Sequence, residues 1–285
     1  MRIVKFSNFK KRCLQFTLIF MAVVAMLSIP PVGIAKTVFY GVGNDGYFND
    51  VIGIETALSR SIGADDFISY AYTNLSGNNI YDTTVALRPL LTGDDTLVWY
   101  YSGHGGYISD DAAGDETRSG STALDSYDEV IGLQGDRDWL SDDELAGALN
   151  SLANTASDVL VIADMCYAGG LVGGTGDLDT ASDLTFFGSS SELESSYYFT
   201  NDSYSLFTDS LINGLSNWAA DSDSDGTLLA SEWFQYSYDL TVDTLGVQYP
   251  VYFGEDLMVA AQTPVPIPGT VFLLAPGLFS LWLRK

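Results

Sequence analysis

Histidine occurs once in these 285 residues, cysteine twice, and lysine plus arginine only twelve times, against 37 aspartates and glutamates. The few bases are unevenly spread: residues 1–35 hold five and positions 284–285 two, and neither end carries an acid. Between the ends 37 acids face five bases, a net charge near −32. Such a surface repels a phosphate backbone, so nucleic acid is excluded as a partner and basic peptides or divalent cations are favoured. Cys13 belongs to the N-terminal segment, which leaves the rest of the chain with one thiol, Cys166, and no means of closing an internal disulfide. Neither a repeat nor a long linker interrupts residues 36–262, and 47% apolar content with 13% aromatics excludes general disorder.

The ends read as signals. A basic start, MRIVKFSNFKKRC, is followed by the apolar LQFTLIFMAVVAMLSI and then the small residues Gly33-Ile34-Ala35, so residues 1–35 are expected to be a signal peptide cut after Ala35. An uncleaved membrane anchor is the other reading of that run. At the far end, residues 263–285 combine a Pro-rich hinge, a short apolar stretch broken by Pro276 and Gly277, and a basic stop. This layout resembles the PEP-CTERM sorting signals of bacterial surface proteins, with Val265-Pro266-Ile267-Pro268 where VPEP is usual. The resemblance implies handling by signal peptidase and an exosortase, transient membrane association through the ends, and an exported protein at the cell surface, in the matrix or in the periplasm.

In the body, strand patterns alternate with helical ones, the signature of a mainly parallel sheet covered by helices. TVFYGVG (37–43), DFISYAYT (66–73), TLVWYYS (96–102), VLVIAD (159–164) and LTFFGSS (184–190) read as strands, the third and fourth apolar enough to be buried on both faces. Helices are expected over 51–63, capped by Asn49 or Asp50, and over 83–91, 141–152, 205–215 and 229–241. Ser141 and Glu144 form a capping-box pair. Residues 105–139 read as one long loop, and VQYPVYFG and DLMVAA as late strands or extended segments.

Ligands collect where the strands of an open parallel sheet end. Two of these strands run into reactive residues, TLVWYY into Ser102-Gly103-His104-Gly105-Gly106 and VLVIAD into Met165-Cys166-Tyr167-Ala168-Gly169-Gly170. A thiol acts as a nucleophile when ionised, and an imidazole beside it can take its proton and later protonate a leaving amine. Backbone N–H groups at Gly105 and Cys166 are suitably placed to hold an oxyanion. Singly, Cys166 also fits a buried core thiol and His104 a hydrogen-bonded turn; together, after strands of the same kind, they read as a dyad.

YYSGHGG followed by DMCYAGG resembles the caspase-like cysteine peptidases of clan CD, in particular metacaspases and the caspase domains of bacterial proteins. FNDVIGIETAL, GDDTLVWYYSGHG, YDEVIGL, LSDDELAGALN and SLFTDSLINGL extend the likeness over most of residues 37–255. It implies an α/β caspase-like fold, a mainly parallel sheet with helices on both faces, spanning 36–262. It implies a cysteine-type endopeptidase acting on proteins or peptides, His104 as general acid/base, Cys166 as nucleophile, and Asp50, Ser102 and Asp164 lining an S1 pocket for Arg or Lys. A carboxylate in a confined pocket favours a basic side chain independently of the likeness. Asp164 is also open to a loop-orienting role and Asp50 to a capping one. Tyr167 and Ala168 depart from the usual DSCHSG, which keeps an Asn-specific, legumain-like peptidase or ligase as an alternative, beside a non-catalytic calcium-binding surface module.

Residues 221–232, DSDSDGTLLASE, satisfy the fixed positions of the EF-hand loop: Asp221, Asp223 and Asp225, then Gly226, the Thr227 carbonyl and Glu232. Calcium is therefore the expected cofactor, with no organic one, and an acidic linker the plainer reading. Asp142 and Asp143 match the acidic pair tied to calcium in metacaspases, and equally suit the first turn of a helix. Arg118 and Arg137, the bases of the acidic loop, are the candidate points of autoprocessing.

Overall fold

The computed structural model describes residues 35–109, 127–132, 138–153, 155–156, 158–173, 177–178, 184–198 and 203–262. The expected signal peptide, the sorting segment, Arg118 and Arg137 lie outside the described residues. In chain order the elements are β1 (Thr37–Gly43), α1 (Phe48–Ile62), β2 (Phe67–Thr73), α2 (Gly77–Val85), β3 (Thr96–Ser102), β4 (His104–Ser109), β5 (Tyr127–Gly132), β6 (Leu140–Ser141), α3 (Asp142–Ala153), β7 (Asp158–Asp164), β8 (Leu184–Gly188), α4 (Leu206–Leu215), β9 (Thr227–Leu229), α5 (Ala230–Leu245), β10 (Val251–Phe253) and β11 (Met258–Ala261).

Alternation along the strands produces the layers. Successive strand side chains point to opposite faces. Hence Val38, Tyr40, Val42, Leu97, Trp99, Tyr101, Val159 and Val161 build one core, while Phe39, Val98, Tyr100, Leu160 and Ile162 build the other. Helices α2 and α3 cover the first face with Ile80, Leu145 and Leu149. Helices α1, α4 and α5 cover the second with Ile54, Leu58, Leu211 and Trp233. Between them runs a six-stranded sheet of order β10-β8-β7-β3-β1-β2, parallel except at β10. This is the α/β architecture the strand and helix patterns imply.

Polar handles on the core aromatics fix how helices sit on the sheet. Trp99 Nε1 donates to Thr84 of α2 at 3.0 Å, and the Tyr100 and Thr208 hydroxyls meet across the β3–α4 contact at 2.5 Å. Each satisfies a group whose burial would otherwise be costly.

Several boundaries differ from the sequence reading. Helix α1 begins at Phe48, so Asn49 and Asp50 lie inside its first turn and do not cap it. The helix expected over 83–91 occupies Gly77–Val85, and Pro89 starts a separate single turn at Arg88–Leu90, where its missing N–H costs nothing. The supposed loop 105–139 holds β5 and all of β4 but its first residue, and with β6 just beyond it these strands form an antiparallel sheet of their own. Backbone pairing makes this sheet, and its exposed outer side chains show no apolar rhythm. The helix expected over 229–241 runs over Ala230–Leu245, after β9, which pairs with β11. Helix α4 ends at Leu215, and Asn217 and Trp218, both with positive φ, turn the chain before Asp221, so no helix leads directly into the acidic loop.

Candidate active site

The C-terminal ends of β1, β3 and β7 are neighbours, in register Gly43–Ser102–Asp164. Two turns therefore leave the sheet side by side. The N–H of Gly103 donates to the Asp164 carbonyl at 3.2 Å, and a Cβ on Gly105 would collide with the carbonyl oxygen of Cys166. His104 thus sits between two residues that touch the 164–166 turn. Its own carbonyl accepts from the Tyr101 hydroxyl at 2.9 Å, and the same hydroxyl bonds the Gly132 carbonyl at 3.0 Å, anchoring the turn to β5. The Tyr47 ring stands edge-on to the imidazole, with centroids 5.9 Å apart.

The turn carrying Cys166 is held by hydroxyls. Ser189 Oγ accepts from the Met165 N–H and donates to the Met165 carbonyl, both at 3.0 Å, and Ser190 Oγ donates to that carbonyl and accepts from the Ala168 N–H. The N–H groups of Tyr167, Gly169 and Gly170 are bound by the carbonyls of Glu194, Ser190 and Tyr167. Cys166 N–H alone in this run has no acceptor among the described residues. Its half-buried thiol lies 3.8 Å from the Ser196 carbonyl. Tyr167 takes a left-handed conformation at φ 64, unusual for a bulky residue, and the chain turns sharply there.

Beneath lies an acidic cluster. Asp50, Ser102 and Asp164 come together, all buried. Ser102 Oγ donates to Asp50 Oδ2 at 2.6 Å, and the Ser205 N–H to Asp50 Oδ1 at 3.0 Å. Asp164 receives Ser196 Oγ at 2.7 Å on one oxygen, and on the other Thr208 Oγ1 at 2.7 Å, the Thr208 N–H at 3.1 Å and Ser205 Oγ. Ser205 therefore bridges the two carboxylates. Burial first, and then the charge of Asp164, pushes Asp50 up to about 7 from its ordinary 3.8. Tyr47 feels the same field: burial and then the charges of Asp164, Cys166 and Asp50 raise its pKa.

Ser196, Ser205 and Thr208 went unread in the sequence because no spacing rule ties them to Asp164. Ser205 alone carried a signal, since it precedes an apolar helix pattern and invites a capping assignment. Tyr47 gave none.

Two further acidic sites lie outside the Asp50–Asp164 cluster. Asp221, Asp223 and Asp225 bring carboxylate oxygens within 4.8 Å of one another. Asp221 Oδ2 accepts from the Gly226 N–H at 3.1 Å, and Oδ1 is buried with no hydrogen-bond partner among the described residues. Gly226 has φ 83, the conformation that the sixth position of such a loop requires. Glu232 accepts from Ser222 N–H, Ser222 Oγ and Leu229 N–H, bonds that lower its pKa. Thr227 opens β9. At the second site Asp142 is buried at the start of α3, where its carboxylate accepts the amides of Glu129 and Asp143, while Asp143 is half-buried. Burial, followed by the charges of Asp177 and Asp128, raises Asp142 to about 8. The partners of Asp142 in charge are therefore Asp177 and Asp128, which the sequence reading did not name.

One family model matches the chain that carries this geometry: the caspase domain, over residues 36–231, well over half of its length. No curated protein matches it.

Proposed function

Since the chain belongs to the caspase-domain family and is a cysteine-type peptidase acting on protein substrates, we propose that it is an exported, calcium-binding endopeptidase that cleaves after Arg or Lys with His104 and Cys166. The open amide of Cys166 carries this reading. Among the described residues every other N–H from Met165 to Gly170 has an acceptor and that of Cys166 has none, which suits an oxygen that develops charge only during reaction. His104 takes the thiol proton and the thiolate attacks the scissile carbonyl carbon. The oxyanion lodges against the N–H groups of Cys166 and Gly105. Collapse breaks the C–N bond as the imidazolium protonates the leaving amine, and water, deprotonated by His104, hydrolyses the acyl thioester.

Asp50, Ser102 and Asp164 support the basic P1 preference, because two buried carboxylates beside one thiol offer a negative pocket floor that a guanidinium or ammonium neutralises. The hydroxyls already bound to both acids favour the second reading, an Asn-specific peptidase or ligase, in which a neutral amide meets a ready-made polar floor. Calcium at Asp221, Asp223, Asp225, the Thr227 carbonyl and Glu232 fits the gathered carboxylates and the unpartnered Asp221 oxygen, and would supply charge neutralisation and loop stiffness. Asp142, with Asp128 and Asp177 near it and Asp143 beside it, is the second calcium candidate. Removal of residues 1–35 by signal peptidase, and of the PEP-CTERM-like segment 263–285 by an exosortase, would deliver the enzyme to the cell surface.

Reporter peptides ending in Arg, Lys, Asn or Asp, assayed with and without calcium on the wild type and Cys166→Ala, test the reading. Equal turnover by the two proteins would refute the nucleophile, and turnover confined to Asn peptides would replace the basic pocket with the second reading.

A further inference from the structure

Three tyrosines sit on the far side of Cys166 from the acidic cluster. Strand β4 presents alternate residues to the Cys166 turn: Gly105 is pressed against Cys166 and Met165, and Tyr107, two residues on, faces the same way. Its ring lies 5.4 Å from that of Tyr167 at 80°, and 5.1 Å from that of Tyr127 on β5 at 71°. Tyr107 is 54% exposed and Tyr127 46%, large values for aromatic side chains beside a reactive thiol. Tyr167, with its left-handed backbone, packs its ring against Tyr107.

Order along the chain gives the direction. Asp164 precedes Cys166 by two residues and points into the acidic cluster, whereas Tyr167 follows it and joins the tyrosines. A substrate whose P1 side chain occupies the acidic cluster carries its scissile carbonyl over Cys166, so the chain beyond the cleaved bond leaves over Tyr107, Tyr127 and Tyr167. We propose that these three tyrosines form the leaving-side subsite and select an aromatic or large apolar residue immediately after the scissile bond. The assignment rests on the acidic cluster being the P1 pocket. Phenol rings provide broad contact with little conformational freedom to lose, which suits one flat side chain.

Internally quenched peptides carrying Arg at P1 and Gly, Ser, Leu, Phe or Tyr at P1′ test this, with the wild type, Tyr107→Ala and Tyr107→Phe compared. The readout is the ratio of kcat/KM for P1′ Phe to that for P1′ Gly, which a general loss of folding does not change. The wild type is expected to favour Phe by about fivefold or more, Tyr107→Ala to bring the ratio near one, and Tyr107→Phe to keep it. The same peptides bound to Cys166→Ala, followed by fluorescence anisotropy, give the ratio as affinities if turnover is slow. A wild-type ratio of one, or a ratio that survives Tyr107→Ala, overturns the proposal. An Arg-over-Asn preference at P1, measured with Gly fixed at P1′, reports separately on the acidic cluster; its loss with the Phe ratio intact removes the basic P1 pocket and leaves the tyrosine subsite standing.

Discussion

Replacing Asp50 by Asn tests the acidic cluster through stability. Asp50 is 1% exposed, and burial with the neighbouring Asp164 raises it from 3.8 to about 7. A raised folded-state pKa means that the folded chain holds a proton which the unfolded chain has released between those two values. The associated stability is fully present below pH 3.8 and is lost as pH climbs through about 7. Three pH units at 1.36 kcal/mol each make the loss about 4 kcal/mol. The carboxamide of the Asp50→Asn variant would keep a side-chain oxygen for Ser102 Oγ or the Ser205 N–H and carries no titratable proton. The stability of Asp50→Asn relative to wild type should therefore be flat below about pH 4, rise by about 4 kcal/mol between pH 4 and 7, and be flat above. Urea unfolding of both proteins in a Cys166→Ala background, at fixed calcium, measures that double difference without self-digestion. Because most of the other 36 acids titrate identically in both proteins, their contribution cancels. A difference that does not vary with pH would show that Asp50 ionises like a surface carboxylate, and the buried cluster would lose its physical basis.

Gly105→Ala should lower kcat/KM by about a hundredfold, since the new methyl meets the Cys166 carbonyl and displaces the Cys166 turn; an unchanged urea midpoint and near-UV circular dichroism in the variant would separate displacement from unfolding. Calcium at about a hundred times its Kd should stabilise the protein by about 2.7 kcal/mol, and Asp221→Ala should abolish the shift in Tm. Because the Asp221 N–H bonds the Trp218 carbonyl at 3.2 Å, that titration should also change tryptophan emission, and Trp218→Phe should remove the change while keeping the Tm shift. Ser205→Ala takes a hydroxyl from Asp164 and should weaken Arg-peptide cleavage by raising KM more than it lowers kcat, as steady-state kinetics would reveal.

The sheet and the side-by-side emergence of the turns carrying His104 and Cys166 were readable because they follow from a local rule. An apolar alternation in TLVWYY and VLVIAD makes adjacent buried strands, and whatever follows each strand emerges at the same edge. Cross-chain hydrogen bonding follows no such rule. Ser196, Ser205 and Thr208 reach Asp164 from 32, 41 and 44 residues away, through loop and helix positions that any small polar residue could fill. The β4–β5 ladder was hidden for a related reason: His-Gly-Gly-Tyr-Ile-Ser buries none of its residues fully and is held by backbone pairing, to which composition is blind. Helix α2 was displaced by six residues because Gly77-Asn78-Asn79 reads as a turn, although contacts with Asp138 hold it at the N-terminus of a helix.

Strand β9 lies inside the acidic loop, and its partner β11 is the last strand of the described chain, tied off by the Gln262 N–H on the Gly226 carbonyl. Whatever pulls on residue 263 and beyond pulls first on that bond and then, pair by pair, on Ala261–Thr227, Ala260–Leu228 and Met258–Leu229. Tension on the C-terminus is thus delivered as peeling, the weakest loading geometry for a two-stranded ribbon, and it is delivered to the acidic loop before any strand of the central sheet carries load. A cation that stiffens residues 221–232 would set the force at which a tethered molecule begins to give.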